Sequence, residues 1–113
     1  MKTVEQLVAS HCREVKGVAM SDADARAQLA VLDRWSVDSG TLTKVYHFEN
    51  YYETLAFVNA LAYIVHREDH HPDLHVGYNR CEVRYNTHSV NGISENDFIC
   101  AAKADALYSQ THA

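Results

Sequence analysis

The amino-acid sequence predicts an α+β domain in which a four-stranded antiparallel sheet is covered on one face by helices, in the order α-α-β-β-α-β-β-α. Three observations lead there. Apolar residues recur at helical spacing near the start, in the middle and at the end of the chain, and two pairs of β-rich runs lie between these stretches. Turn residues bound each run, so the pairs read as hairpins, and hairpins separated by a helix form a sheet with one face to bury. At 113 residues, 47% of them hydrophobic, the chain fits one compact domain over residues 1–113 with a modest core.

Each element has a local cause. Thr3-Val4-Glu5-Gln6 has the form of a capping box, in which hydroxyl and amide satisfy free N–H groups at a helix start, and predicts a short helix to about Val15. Gly17 interrupts it. Ser21-Asp22-Ala23-Asp24 offers a second capped start, followed by Ala25, Leu29 and Leu32 at helical spacing up to Trp35. Asp38-Ser39-Gly40 is a turn signal, and Thr41 to Phe48 is rich in β-branched and aromatic residues, as the second strand of a hairpin would be. Its alternation is imperfect, so the buried face is left open.

Leu55, Val58, Leu61, Ala62 and Val65 describe a long amphipathic helix from about Tyr51 to Glu68, the main helix of the core. Pro72 prevents its continuation and the chain turns at His71. Leu74, Val76 and Tyr78 alternate as one strand face, Asn79-Arg80 makes a turn, and Cys81, Val83, Tyr85 and Thr87 alternate as the next. Asn91-Gly92 closes the strand region. Ser94-Glu95-Asn96-Asp97 then caps a last helix that buries Phe98, Ala101, Ala102 and Leu107. No sequence repeat accompanies the twice-used strand-pair-and-helix pattern.

Composition narrows the function. The net charge is -5 and the ten basic residues are spread without a cluster, which argues against a nucleic-acid partner. Cys12, Cys81 and Cys100 are odd in number and widely spaced, the pattern of reduced thiols; Cys81 and Cys100 fall at apolar-face positions, as core fillers would. The charged start Met1-Lys2-Thr3-Val4-Glu5-Gln6 lacks the apolar run of a signal peptide and no stretch reaches membrane-spanning length, so a cytoplasmic protein without a membrane partner is expected. Sheet edges left uncovered invite a partner subunit, and an oligomer is expected.

Eight histidines are many for this length, and five of them (His66, His70, His71, His75 and His88) fall in a 23-residue window. His70 and His71 stand where the long helix ends and His88 at the end of the last strand, so both sets can reach one rim. Imidazole, with an unperturbed pKa of ~6.5, both gives and takes protons near neutrality, and three around a pocket suit reversible proton transfer. Taken singly, each is more simply a histidine stabilising a helix C-terminus through the dipole. A metal site built from His70, His71, His75 and His88 with Asp73 is the other alternative; adjacent histidines rarely share one ion and no HExxH is present, so it ranks below proton chemistry.

Asp69-His70-His71-Pro72-Asp73-Leu74, Tyr78-Asn79, Asn86-Thr87-His88, Gly92-Ile93-Ser94 and Asp97, in that order and spacing, resemble the signature of the pterin-4a-carbinolamine dehydratases. The similarity extends to Leu32–Trp35, Tyr46–Tyr51, Ala56-Phe57-Val58 and Ala101–Leu107, and so over nearly the whole chain, towards the bacterial branch. The resemblance implies the α+β fold, homodimers or homotetramers, no cofactor and no metal. It implies loss of water from 4a-hydroxytetrahydrobiopterin to give quinonoid dihydropterin, which recycles tetrahydrobiopterin for an aromatic amino-acid hydroxylase. By resemblance His70, His71 and His88 are catalytic, His70 and His88 for the proton transfers and His71 for positioning the ring; Asp69, Pro72, Thr87 and Ser89 line the substrate pocket.

Two positions depart from the pattern. His66 stands where relatives often carry an acid, and Ser89 where many have Asp or Glu, which implies lower activity or a shifted pH optimum if those acids tune the histidines. The helix before Ser21 resembles a bacterial-type feature and is assigned no chemistry. Some family members act instead as dimerisation cofactors or assembly chaperones on the same fold; chaperone-like relatives tend to have lost the histidines that this chain keeps.

Overall fold

The computed structural model describes residues 1–111. Its elements are α1 (Val4–Ala9), α2 (Asp22–Leu29), β1 (Ser36–Asp38), β2 (Thr41–His47), α3 (Tyr51–Glu68), β3 (Asp73–Val76), β4 (Arg80–Tyr85) and α4 (Glu95–Thr111), with a 3-10 turn over His88–Val90. This is the expected order, and the strands form one antiparallel sheet in the order β1-β2-β4-β3. The two hairpins therefore join through their second strands.

The β2–β4 register pairs Leu42 with Tyr85, Lys44 with Val83 and Tyr46 with Cys81. Side chains alternate along a strand, so these six share one face, and α3 and α4 cover it with Phe57, Leu61, Phe98, Ile99, Ala101 and Ala102. The facing of β2, which the sequence leaves open, is thereby decided. Lys44 blurs the alternation because it lies on the covered face, where the Asp105 carboxylate sits 2.8 Å from its ammonium. Thr43, Val45, Asp73, His75, Glu82 and Arg84 belong to the opposite face by register. An aromatic cluster fills the core beside α4: Tyr46 lies 4.8 Å from Phe57 and 4.9 Å from Tyr108 between ring centroids.

Four boundaries differ from the sequence reading, the smallest being that β4 ends at Tyr85, short of Thr87. Helix α1 keeps its capping box but stops at Ala9 instead of about Val15, because Ser10 bonds back to Gln6 and the next backbone groups bond to side chains of α3 and α4. Helix α2 ends at Leu29; Arg34, at φ 64°, turns the chain so that Trp35 packs into the core as a loop residue. Tyr78 lies in the turn between β3 and β4, 66% exposed, where its ring stacks on Tyr51. No helix among the described residues is long and apolar enough to cross a membrane.

Candidate active site

The end of α3 aims the first histidines. Asp69 adopts the left-handed conformation at φ 51°, which Asp tolerates better than most residues. Its N–H donates to the His66 carbonyl at 3.3 Å and the His70 N–H to the Val65 carbonyl at 3.3 Å, the two bonds of a Schellman ending. The chain thus folds back over α3, and Pro72 leads it into β3. His88 is placed by the 3-10 turn after β4, which is closed by the Thr87–Gly92 bridge and by Asn91 in the left-handed region at φ 51°. Gly92 has no room for a side chain, since a Cβ there would stand 2.8 Å from the Ala19 Cβ.

These placements bring His70, His71 and His88 to one open cleft of about 200 Å³, with Asp69, Asn86, Thr87, Ser89 and Asn96 also in its wall. Sites for drug-sized ligands run to ~300–1,000 Å³, so this one suits a single small ring system. The rings of His71 and His88 meet edge to face with centroids 5.9 Å apart. Pro72 is not in the wall. His66 is exposed at the end of α3, and His75 lies on the open sheet face with Asp73, its Nδ1 4.0 Å from Glu82. The four-histidine set of the metal alternative is therefore split between two faces, and among the described residues no three His, Cys, Asp or Glu are grouped to hold a metal ion.

His70 is the most constrained of the three. Its Nε2 lies 2.6 Å from Oδ1 of Asp97, which is completely buried, and its ring stacks on Tyr85 at an interplanar angle of 7°. The other Asp97 oxygen accepts from the Thr87 hydroxyl at 2.8 Å and the Ser94 N–H at 2.9 Å. Because Thr87 has spent its proton there, Ser94 donates to Thr87 across 2.7 Å, while the Asn96 N–H donates to Ser94 at 3.2 Å. Every donor in this chain points towards Asp97. Asp97 is accordingly placed to accept the Nε2 proton of His70 as its third hydrogen bond, the tautomer that leaves Nδ1 with the free lone pair.

Under this ring the Tyr85 hydroxyl is buried without a hydrogen-bond partner among the described residues. Burial first, and then Cys100, Cys12, Asp97 and Cys81, push its pKa well above the usual phenol value, so it stays neutral. Cys81 and Cys100 are buried in the core, as their apolar-face positions suggest, and burial raises the Cys81 thiol to about 11.

One wall of the cleft comes from the segment between α1 and α2, through Arg13, Glu14 and Val15. Buried Asn96 holds it with both ends of its amide: Oδ1 accepts the Arg13 N–H at 3.2 Å and Nδ2 donates to the Arg13 carbonyl at 2.7 Å. Ser89 donates to the Val15 carbonyl at 2.7 Å, and Glu68 accepts the Cys12 N–H at 2.7 Å. Burial alone would raise the Glu68 pKa, but the Cys12 amide, the His11 ring and the Lys103 ammonium outweigh it and hold the carboxyl below its ordinary value.

The model of the family described as pterin 4 alpha carbinolamine dehydratase matches residues 18–107. The chain belongs to that family. Among curated dehydratases of this name, all provisionally named, a protein of Nitrosospira multiformis is 48% identical over 108 residues, covering 94% of this chain and 96% of its own. One of Bdellovibrio bacteriovorus is 59% identical over 93 residues, covering 79% and 78%. The crystal structure of a transcriptional coactivator/pterin dehydratase from Brucella melitensis superposes with a TM-score of 0.75 at 31% identity, over 79% of this chain and 97% of that one. A pterin dehydratase-like protein identified as a RuBisCO assembly factor in the alpha-carboxysome gives 0.55 at 27% identity, over 66% and 86%.

Against the dehydratase pattern, sequence reasoning missed two parts of the site. Asp97 is in the signature and in the cap of α4, but its bond to His70 spans 27 positions and only the packing of α4 against α3 reveals it. Its residue type was a usable signal, since a carboxylate at the third position of a capped helix is aimed back at the helix start. Arg13, Glu14 and Val15 offered none, because they sit in a stretch that reads as helix.

Proposed function

We propose that the protein is a dehydratase acting on 4a-hydroxytetrahydropterins, tetrahydrobiopterin in recycling for an aromatic amino-acid hydroxylase being the expected case. The single observation that carries this reading is the Asp97–His70 pair in a cleft shared with His71 and His88. Loss of water from the carbinolamine is redox-neutral and needs proton transfers alone. Nδ1 of His70 takes a ring N–H proton, the electron pair left on nitrogen forms a C=N bond to C4a, and the C4a–O bond breaks. His88 protonates the departing hydroxyl, so that water and quinonoid dihydropterin leave, and both imidazoles then exchange protons with solvent. His71 positions the ring beside His88. Asp69 accepts from ring N–H groups, Thr87 acts through Asp97, Ser89 supports the wall through Val15, and Pro72 fixes the turn that presents His71.

Since the orienting carboxylate for His70 comes from α4, the histidine at position 66 does not deprive it of a partner. The setting expected for this activity is the cytoplasm, in homodimers or homotetramers formed over the unpaired edges of β1 and β3. A non-enzymatic dimerisation or assembly cofactor is the second reading, motivated by what the two solved relatives are described as.

A stopped-flow assay of 4a-hydroxytetrahydropterin dehydration tests the proposal. The protein should accelerate the reaction, and His70→Ala and His88→Ala should each lose a factor on the order of 10²–10⁴. Full activity in both variants would sink the assignment, and no acceleration by the folded protein would favour the second reading.

A further inference from the structure

The segment of residues 11–16 precedes the residues that the family model matches, yet it supplies a wall of the histidine cleft. Its backbone is fixed at Cys12, Arg13 and Val15 by Glu68, Asn96 and Ser89. Asn96 is buried and bonds to one residue, Arg13, with both ends of its amide. The backbone of Arg13 is therefore held against the cleft, while its exposed guanidinium makes no hydrogen bond or ion pair among the described residues. Neighbouring Glu14 has its carboxylate answered by Lys16 at 3.3 Å. Arg13 is the one permanent cation among the described residues of the wall that also holds the three imidazoles.

We propose that this segment forms a second subsite, in which Arg13 selects substrates whose ring carries an oxyanion-bearing side chain. The inference rests on the dehydratase reading above and changes its preferred substrate, since the side chain of tetrahydrobiopterin carries hydroxyls and no oxyanion. The chemistry shared by carboxylate and phosphate is a planar or forked set of oxygens, which the guanidinium fork meets with two parallel hydrogen bonds and an ammonium cannot. A ring lying against His70, His71 and His88 has to project any substituent out of so small a cleft, and the segment's wall is where Arg13 would meet it. Asp69, which also lines the cleft, is left to accept from the ring itself.

The test uses the full chain and pterins that carry a methyl group, a carboxylate-bearing or a phosphate-bearing side chain at the same ring position. For the 4a-hydroxytetrahydro forms, wild type should favour one oxyanion substrate in kcat/KM. Arg13→Ala should lower that preference about tenfold, mainly through KM, and Arg13→Lys should restore it only in part. The preferred substrate then tells carboxylate from phosphate. Equilibrium binding of the stable, fully oxidised pterins with the same three side chains reads the subsite without turnover. Selective binding that Arg13→Ala abolishes would uphold the subsite even if no dehydration were catalysed, a result that would overturn only the activity. Equal binding of all three, no binding, or a preference that survives Arg13→Ala would overturn it.

Discussion

Helix α4 carries two aspartates eight positions apart that use the same chemistry for opposite ends. Asp105 accepts from the Trp35 indole N–H at 3.0 Å, the Lys44 ammonium at 2.8 Å and the Tyr46 hydroxyl at 2.5 Å, so a permanent cation answers its charge inside the cluster. Asp97 accepts from a hydroxyl, a backbone amide and the ring of His70, and among the described residues no Lys or Arg pairs with it. The first arrangement is closed and holds Trp35 and β2 to α4. The second has one ionisable partner, and that partner faces a cleft. A buried carboxylate whose ionisable partner faces a cleft is thus a candidate for proton chemistry, where one paired with a permanent cation is not.

The sharpest way to break this contrast is Asp97→Asn. The amide can donate to Nε2, which moves the imidazole proton to Nδ1 and removes the lone pair that the mechanism uses; dehydration should fall by on the order of 10²–10⁴, measured as kcat, with the fold kept. An unchanged kcat would make Asp97 as structural as Asp105. On the other side, Asp105→Asn removes the carboxylate that answers Lys44 and should cost about 3 kcal/mol in denaturant unfolding while the dehydration rate of the folded protein is retained. A parallel loss of rate would show the two ends of α4 to be one unit.

The smallest effect comes from two tyrosines on the same sheet face. Tyr46→Phe removes the bond to Asp105 and should destabilise by about 1–2 kcal/mol, whereas Tyr85→Phe removes a buried hydroxyl without a partner and should be neutral or stabilising by up to about 1 kcal/mol. Equal losses in thermal unfolding would mean that the Tyr85 hydroxyl is satisfied in solution.

The parts legible in the sequence were those with local causes. Periodicity alone bounds α3 as Tyr51–Glu68, and the cap at Ser94 starts α4. What was illegible depends on partners distant in the chain. The residues after Ala9 leave the helix because Glu68 and Asn96 claim their backbone groups, and Lys44 reads as a strand irregularity until Asp105 is seen opposite it. In the cleft, the three histidines stand out by residue type and motif, while Asp97 passes for a helix cap and Arg13 for a helix surface residue.

Asn96 joins the α1–α2 segment to the network around Asp97. Its side chain clasps Arg13, and its backbone N–H is the first donor in the series that runs through Ser94 and Thr87 to Asp97. The wall at Arg13 and the carboxylate bonded to His70 are therefore fastened by one residue, like two leaves of a door on a single pin. Any pull on the Arg13 wall is thus delivered to the first turn of α4, where Asn96 and Asp97 are neighbours in the chain.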